Sequence, residues 1–373
     1  MNIHTLPTPT ALVDERRMQH NIRRMHSRVA ALGARLRPHV KTAKCLAVAQ
    51  QQMAAGAQGI TVSTLKEAEV FFDAGFTDIL YAVCIVPPKL AQAQALRERG
   101  CQLTVVVDSV AAAQAVIASG HRFDVMIEID TDGHRAGVLP ESDLLLQVGR
   151  VLHEGGATLR GVMTHAGASY DCRSPAALQA MAEQERSRCV RAAQRLRSAG
   201  LPCPEVSVGS TPTALSAQHL AGVTEVRAGV YVFQDLVMQG VGVCQADEIA
   251  LSVLCTVIGH QPEKGWVLVD AGWMAMSRDR GTQAQDVDYG YGAVCNEAGA
   301  LMDGLLMSGA NQEHGILSWR HDSTPPDLTQ QFPVGTRLRI LPNHACATAA
   351  QFPHYDVLGV DGRLDRWDRF YGW

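Results

Sequence analysis

The stretch Arg37-Pro38-His39-Val40-Lys41-Thr42 closes a short apolar run, 34–40, and sets one lysine where a buried strand should end. An ammonium there is unfavourable unless it is paired or neutral. Burial lowers an amine's pKa and makes it a nucleophile, the state in which lysines form Schiff bases. The expectation is a buried, reactive Lys41. A solvated loop lysine is the alternative, and four further groups of residues bear on the choice.

Val208-Gly209-Ser210-Thr211-Pro212-Thr213 joins a glycine, hydroxyls and a helix start. Backbone N–H groups, a helix dipole and hydroxyl donors together make an anion site; a Ser/Thr helix cap is the alternative. Arg227-Ala228-Gly229-Val230-Tyr231 adds backbone N–H donors and a phenol to such a cradle. Asp130-Thr131-Asp132-Gly133-His134-Arg135-Ala136-Gly137 suits a tight loop after a strand. Its Arg135 can hold an anionic oxygen or make a surface salt bridge. In Thr164-His165-Ala166-Gly167-Ala168-Ser169-Tyr170, His165 can stack on a flat ring and Tyr170 can reach a ring nitrogen; a packed core histidine is the alternative. In Pro342-Asn343-His344-Ala345-Cys346-Ala347-Thr348 a strand would turn His344 and Cys346 the same way. The two can then share a metal ion, and imidazole with thiolate suits zinc. A catalytic zinc usually has three protein ligands, so a structural pair is the alternative.

A lysine, a phosphate cradle, an arginine and an aromatic wall together describe a pyridoxal 5'-phosphate site. A plain Schiff-base aldolase shares the barrel, the lysine and the phosphate loop, but needs neither a second domain nor the His–Cys pair.

Elements must bring these groups together. From Leu36 onward, apolar Val/Ile-rich runs of strand length alternate with helical patterns that end in glycines able to adopt the left-handed cap. Roughly eight βα units can be counted, the number that closes a (β/α)8 TIM barrel. In such barrels chemistry collects where strands end, here at Lys41, Ser63-Thr64, Asp108, Asp130, His165, Gly209-Ser210-Thr211 and Tyr231. An open doubly wound sheet would need a Gly-rich turn after its first strand, and none is present. After Gln245 the helices stop, and five strands separated by turns are expected. The fold class is α/β, with a cofactor-binding barrel over 10–245 and a β-rich domain over 246–373 that residues 1–9 can join.

Composition narrows the partners. The chain has 373 residues, 47% of them hydrophobic, and a formal net charge of -4 with no basic block. Nucleic acid and anionic membrane are therefore not expected. The ten cysteines show no C-x-x-C pairing, and the N-terminus has no signal core. Reduced thiols in the cytoplasm are expected.

The order of these motifs resembles the fold-type III pyridoxal phosphate enzymes, and within them the D-serine dehydratase and D-threonine aldolase group. The resemblance covers essentially the whole chain. It implies an alanine-racemase-like barrel with a C-terminal β domain, a homodimer, and Lys41 as carrier of the cofactor. It implies that Gly209, Ser210, Thr211, Gly229 and Tyr231 hold the phosphate, with His165 against the ring. Arg135 would face the phenolic oxygen, and Tyr170 or Arg227 the pyridine nitrogen. His344 and Cys346 match the pair that binds a divalent metal (zinc, manganese or magnesium). His-x-Cys is the dehydratase form of that pair and His-x-Asp the aldolase form, so the resemblance implies dehydration of a β-hydroxy-D-amino acid such as D-serine or D-threo-3-hydroxyaspartate. D-threonine retro-aldol cleavage, racemisation and non-catalytic cofactor binding are the alternatives.

Overall fold

The computed structural model describes residues 3–320 and 327–372. Residues 1–2, 321–326 and 373, which the expected domains include, lie outside the described residues. The chain opens with β1 (Thr10–Asp14) and α1 (Glu15–Ala31). Eight strands then alternate with helices: β2 (Arg35–Pro38), α2 (Leu46–Ala54), β3 (Ile60–Val62), α3 (Leu65–Asp73), β4 (Asp78–Cys84), α4 (Pro87–Glu98), β5 (Gln102–Val107), α5 (Val110–Ala118), β6 (Asp124–Glu128), α6 (Asp143–Glu154), β7 (Thr158–Met163), α7 (Pro175–Ser198), β8 (Glu205–Val208), α8 (Thr211–Ser216) and β9 (Glu225–Ala228). Side-chain oxygens of Thr64, Ser109, Ser142 and Ser174 cap the helices that follow them. Gly200 follows α7 with φ +76°, a conformation that favours glycine.

The eight strands pair in parallel in the order β2-β9-β8-β7-β6-β5-β4-β3, and a parallel bridge between His39 and Thr61 joins the two ends. Register places Met163 beside Ser207, Ser207 beside Glu225 and Arg227 beside Arg37 on one face. One side of the interior is apolar, with Leu80, Val106, Met126 and Met163 in contact. The other side is ionic. The Glu225 carboxylate accepts from Arg35 Nε at 2.8 Å, Arg37 Nε at 2.7 Å and Ser207 Oγ at 2.6 Å. Arg37 also pairs with Asp78 at 2.8 Å. Burial alone would raise the Glu225 carboxyl, but Arg37 and Arg35 hold it below the usual carboxylate range. Arg35 and Arg37 are therefore structural cations of the barrel interior.

The chain divides into Arg23–Gly229 (with Gly372–Trp373) and Met1–Ile22 joined to Val230–Tyr371. The boundary falls at 229/230, not at the expected 245/246. β1 belongs to the second unit, although residue 10 was expected to open the barrel. The cause is hydrogen bonding. β1 lies antiparallel to β10 (Leu251–Gln261) and parallel to a later strand, and the Ala250 N–H donates to Phe233 O at 2.7 Å. Seven more strands complete this unit: β11 (Trp266–Val269), β12 (Gly292–Asn296), β13 (Leu301–Ala310), β14 (Gly315–Trp319), β15 (Arg337–Pro342), β16 (His354–Leu358) and β17 (Leu364–Asp368). Pairing runs β11-β14-β13-β12-β15-β10 and returns to β11, an antiparallel ring that β1, β16 and β17 extend. Leu236, Ile249, Ala293, Cys295 and Leu341 form a core cluster in it. β12, β13 and β17 exceed the five strands expected; Asp303, Gly304 and Gly309 interrupt the apolar alternation of β13.

Candidate active site

Lys41 follows β2 in a turn, with Val40 and Thr42 buried on either side of it. Lys41 itself is exposed, which corrects the expectation of a buried amine. β2 ends at Pro38 and its pairing continues only to Val40, whose N–H donates to Thr61 O at 3.0 Å, so the lysine is the first residue outside the sheet. Among the described residues no hydrogen bond or ion pair engages its Nζ. Its charge bears on two imidazoles, His39 and His165. Loss of water contact, helped by Lys41 and Arg227, pushes His39 well below the usual histidine range. His39 Nδ1 is buried without a partner. His165 is pushed down to about 3, chiefly by burial. Its Nδ1 lies 3.0 Å from Gly209 O and donates there as a neutral ring. Two neutral rings beside an uncommitted amine suit a flat aldehyde cofactor.

The loops after β7 and β8 form one unit. Tyr170, in the 3-10 turn Gly167–Asp171, has its ring centroid 6.4 Å from that of His165. Glu185 joins the loops from α7: its Oε1 accepts from Ala166 N–H and Gly209 N–H, each at 2.9 Å. Burial raises the Glu185 carboxyl despite these bonds. Ser210 caps α8: its Oγ accepts from Thr213 N–H and lies 2.8 Å from Ser169 Oγ. The capping alternative for Ser210 thus describes this structure, and Thr211 opens the helix behind it. Arg227 donates to Ser207 Oγ and Thr164 O inside the barrel.

Two glycines are closely packed. A Cβ on Gly229 would meet His39 O and Thr42 Oγ1, each at 3.2 Å. Gly209 has φ +138°, and a Cβ there would collide with the Arg227 carbonyl. Gly209→Ala is therefore expected to destabilise the protein by about 2 kcal/mol or more and to weaken retention of a bound phosphate group. Denaturant unfolding and anion titration check the two effects separately.

Arg135 is exposed and donates to Glu128 Oε1 at 3.3 Å; Glu128 Oε2 accepts from Cys84 Sγ at 3.3 Å. Burial and the carboxylates of Glu128 and Asp108 push the Cys84 thiol up, so it remains a donor.

The remaining expected residues lie in the β-rich unit. Tyr231 is fully buried in the turn Val230–Val232. His344 and Cys346 were expected on a strand, but β15 stops at Pro342 and neither residue lies on one. His344 is the N-cap of the short helix Ala345–Ala349, which contains Cys346. Asp235 causes the break by accepting the Ala345 N–H at 2.9 Å. His344 Nδ1 lies 2.9 Å from Asp279 Oδ2. Burial would push the His344 imidazole down, but Cys346, the bond to Asp279 and the Asp235 carboxylate raise it to about 11. Asp279 holds Nδ1 and Cys346 hydrogen-bonds the same side chain, so imidazole and thiol are neighbours; a metal shared by them would take the imidazole in its neutral form. Among the described residues no group of three His, Cys, Asp or Glu side chains converges.

Glu185, Asp279 and Glu128 were not singled out from sequence. Glu185 had a signal: it falls on the buried stripe Leu178, Ala182, Glu185, Cys189, Ala192 and Leu196 of α7, where a carboxylate needs a reason. Asp279 had none, being brought to His344 only by the folded path of the chain.

A parallel eight-stranded barrel with a lysine after its first strand, and a β-rich unit beyond it, is the architecture of the alanine-racemase class. The family model "Alanine racemase, N-terminal domain" matches residues 13–236, and "Putative serine dehydratase domain" matches 250–358. The chain is 63% identical over 374 residues to D-threo-3-hydroxyaspartate dehydratase of Delftia sp. strain HT23, covering 99% of this chain and 98% of that protein. It is 31% identical to D-serine dehydratase of Dictyostelium discoideum, covering 97% and 96% of the two. A solved cysteine-to-alanine mutant of D-threo-3-hydroxyaspartate dehydratase, in the metal-free form, matches with TM-score 0.99 and 62% identity over 100% of both chains. The chain belongs to the D-serine dehydratase family. No described helix is long and apolar enough to cross a membrane.

Proposed function

We propose that this protein is a pyridoxal phosphate- and divalent metal-dependent dehydratase that converts β-hydroxy-D-amino acids to a 2-oxo acid and ammonia. The observation that carries it is the uncommitted Lys41 amine beside two neutral imidazoles. Bound there, the cofactor supplies an electron sink for charge developing at the α-carbon. Lys41 Nζ would hold its aldehyde carbon and, once displaced by substrate, take the α-proton. Gly209, Ser210, Thr211, Gly229 and Tyr231 would hold the phosphate. For Gly209 and Ser210 this means an indirect contribution, since the Gly209 N–H already serves Glu185 and the Ser210 N–H serves Thr213 Oγ1. Arg135 would face the phenolic oxygen, His165 the ring, and Tyr170 or Arg227 its nitrogen.

His344 and Cys346 would hold the metal, which supplies Lewis acidity to a leaving hydroxyl. The Asp279 carboxylate 2.9 Å from His344 Nδ1 and the side-chain hydrogen bond between His344 and Cys346 support this reading. Asp279→Ala is expected to lower metal affinity about 10- to 100-fold, measured by competition with a chelating dye. We infer a homodimer from the family resemblance, and a reducing, cytoplasmic compartment from ten free thiols.

The test is a product assay on D-serine, D-threonine and D-threo-3-hydroxyaspartate, with and without added metal. A 2-oxo acid with ammonia is expected; glycine with an aldehyde would make the protein an aldolase instead.

A further inference from the structure

The substrate's side chain can be addressed from the surroundings of His344. In a β-hydroxy amino acid that ends in a second carboxylate, that carboxylate is bonded to the carbon bearing the hydroxyl. A cation that receives it must then lie close to whatever receives the hydroxyl. On the reading above, this is the neighbourhood of His344 and Cys346.

The segment that carries Asp279 is fixed beside these residues. Asn343 Nδ2 donates to Asp279 O at 3.0 Å and to Gly290 O at 2.7 Å, and Asn343 Oδ1 accepts from Thr282 Oγ1 at 3.2 Å. Ser277, buried, has φ +73° and ψ 171°, a combination that a non-glycine residue adopts only when its surroundings impose it. Its Oγ accepts the Asp279 N–H at 3.2 Å. Arg278 is thus held between a constrained residue and the carboxylate that supports His344.

Three arginines belong to this region, and two are committed. Arg280 pairs with Asp288 at 2.9 Å and lies over Tyr291. Arg320 donates to Asp288 O at 2.8 Å and lies over Tyr289. Arg278 is exposed and lies 4.3 Å from the centroid of the Trp273 ring. Among the described residues no hydrogen bond or ion pair engages its guanidinium. Trp273 opens the short helix Trp273–Met276, and Met276 O accepts from Thr348 Oγ1 at 2.7 Å, on the helix that contains Cys346. Stacking on an indole holds a guanidinium in place while its N–H edge stays free for a carboxylate.

We propose that Arg278 receives the second carboxylate of a dicarboxylic β-hydroxy-D-amino acid and sets the preference for it over D-serine. This rests on the metal-binding reading of His344 and Cys346. The test uses the metal-loaded holoenzyme and the variants R278M and R278K. The ratio of kcat/KM for D-threo-3-hydroxyaspartate to that for D-serine should fall about 10- to 100-fold in R278M, with partial recovery in R278K. Calorimetric titration with D-malate, which lacks the amine and does not react, should show a similar loss of affinity, while binding of 3-hydroxypropionate, which lacks the second carboxylate, falls less. An unchanged ratio, an equal loss on both amino acids, or unaltered D-malate binding overturns the proposal. If the unaltered enzyme releases no ammonia from either amino acid, the dehydratase reading fails, and D-malate binding alone then decides the role of Arg278.

Discussion

Lys41→Ala is expected to remove the visible absorbance of protein-bound cofactor and to lower turnover by about 10³-fold or more, because one amine both holds the cofactor and takes the α-proton. The neighbouring Lys44 provides the control. Its Nζ pairs with Glu67 at 3.0 Å, and Glu67 is fully buried. Lys44→Ala should therefore strand a buried carboxylate and lower stability by about 3 kcal/mol, yet keep the absorbance. Absorbance spectra at fixed cofactor, with thermal melts alongside, separate the two variants. A retained absorbance band in Lys41→Ala would remove Lys41 from the chemistry.

The second large effect concerns the β-rich unit. His344→Ala and Cys346→Ala are each expected to lose bound metal and about 10³-fold in turnover, since Lewis-acid assistance amounts to several kcal/mol. Chelation of the unaltered protein should do the same reversibly. Cofactor absorbance should persist in all three cases, because Lys41 and the Gly209–Thr211 loop belong to the other unit. Metal analysis after gel filtration, paired with the product assay, reads both effects. Full turnover in excess chelator would exclude a metal from the reaction.

The barrel was legible because parallel strands buried on both faces are continuous apolar runs, and a glycine after most of the helices marks the repeat. The barrel and its β-rich extension followed from that pattern, and the alanine-racemase-like class from the family resemblance that the order of the motifs carries. The β-rich unit was less legible. Glycines interrupt its strands, and its ring depends on pairings between distant segments such as β1 with β10, which local periodicity does not encode.

Residue identity alone determined which groups could do chemistry: a lysine after the first barrel strand, Gly209 and its hydroxyl neighbours, and a histidine two places before a cysteine. Their states were decided only by the tertiary structure. Lys41 is exposed because sheet pairing stops at Val40, and His165 is neutral because its ring is enclosed against Gly209. His344 meets Asp279 across 65 residues of chain, and Asp235 turns what looked like a strand into a helix start. Charge, burial and hydrogen bonding depend on which groups are close in space, and a linear order states only which are close along the chain.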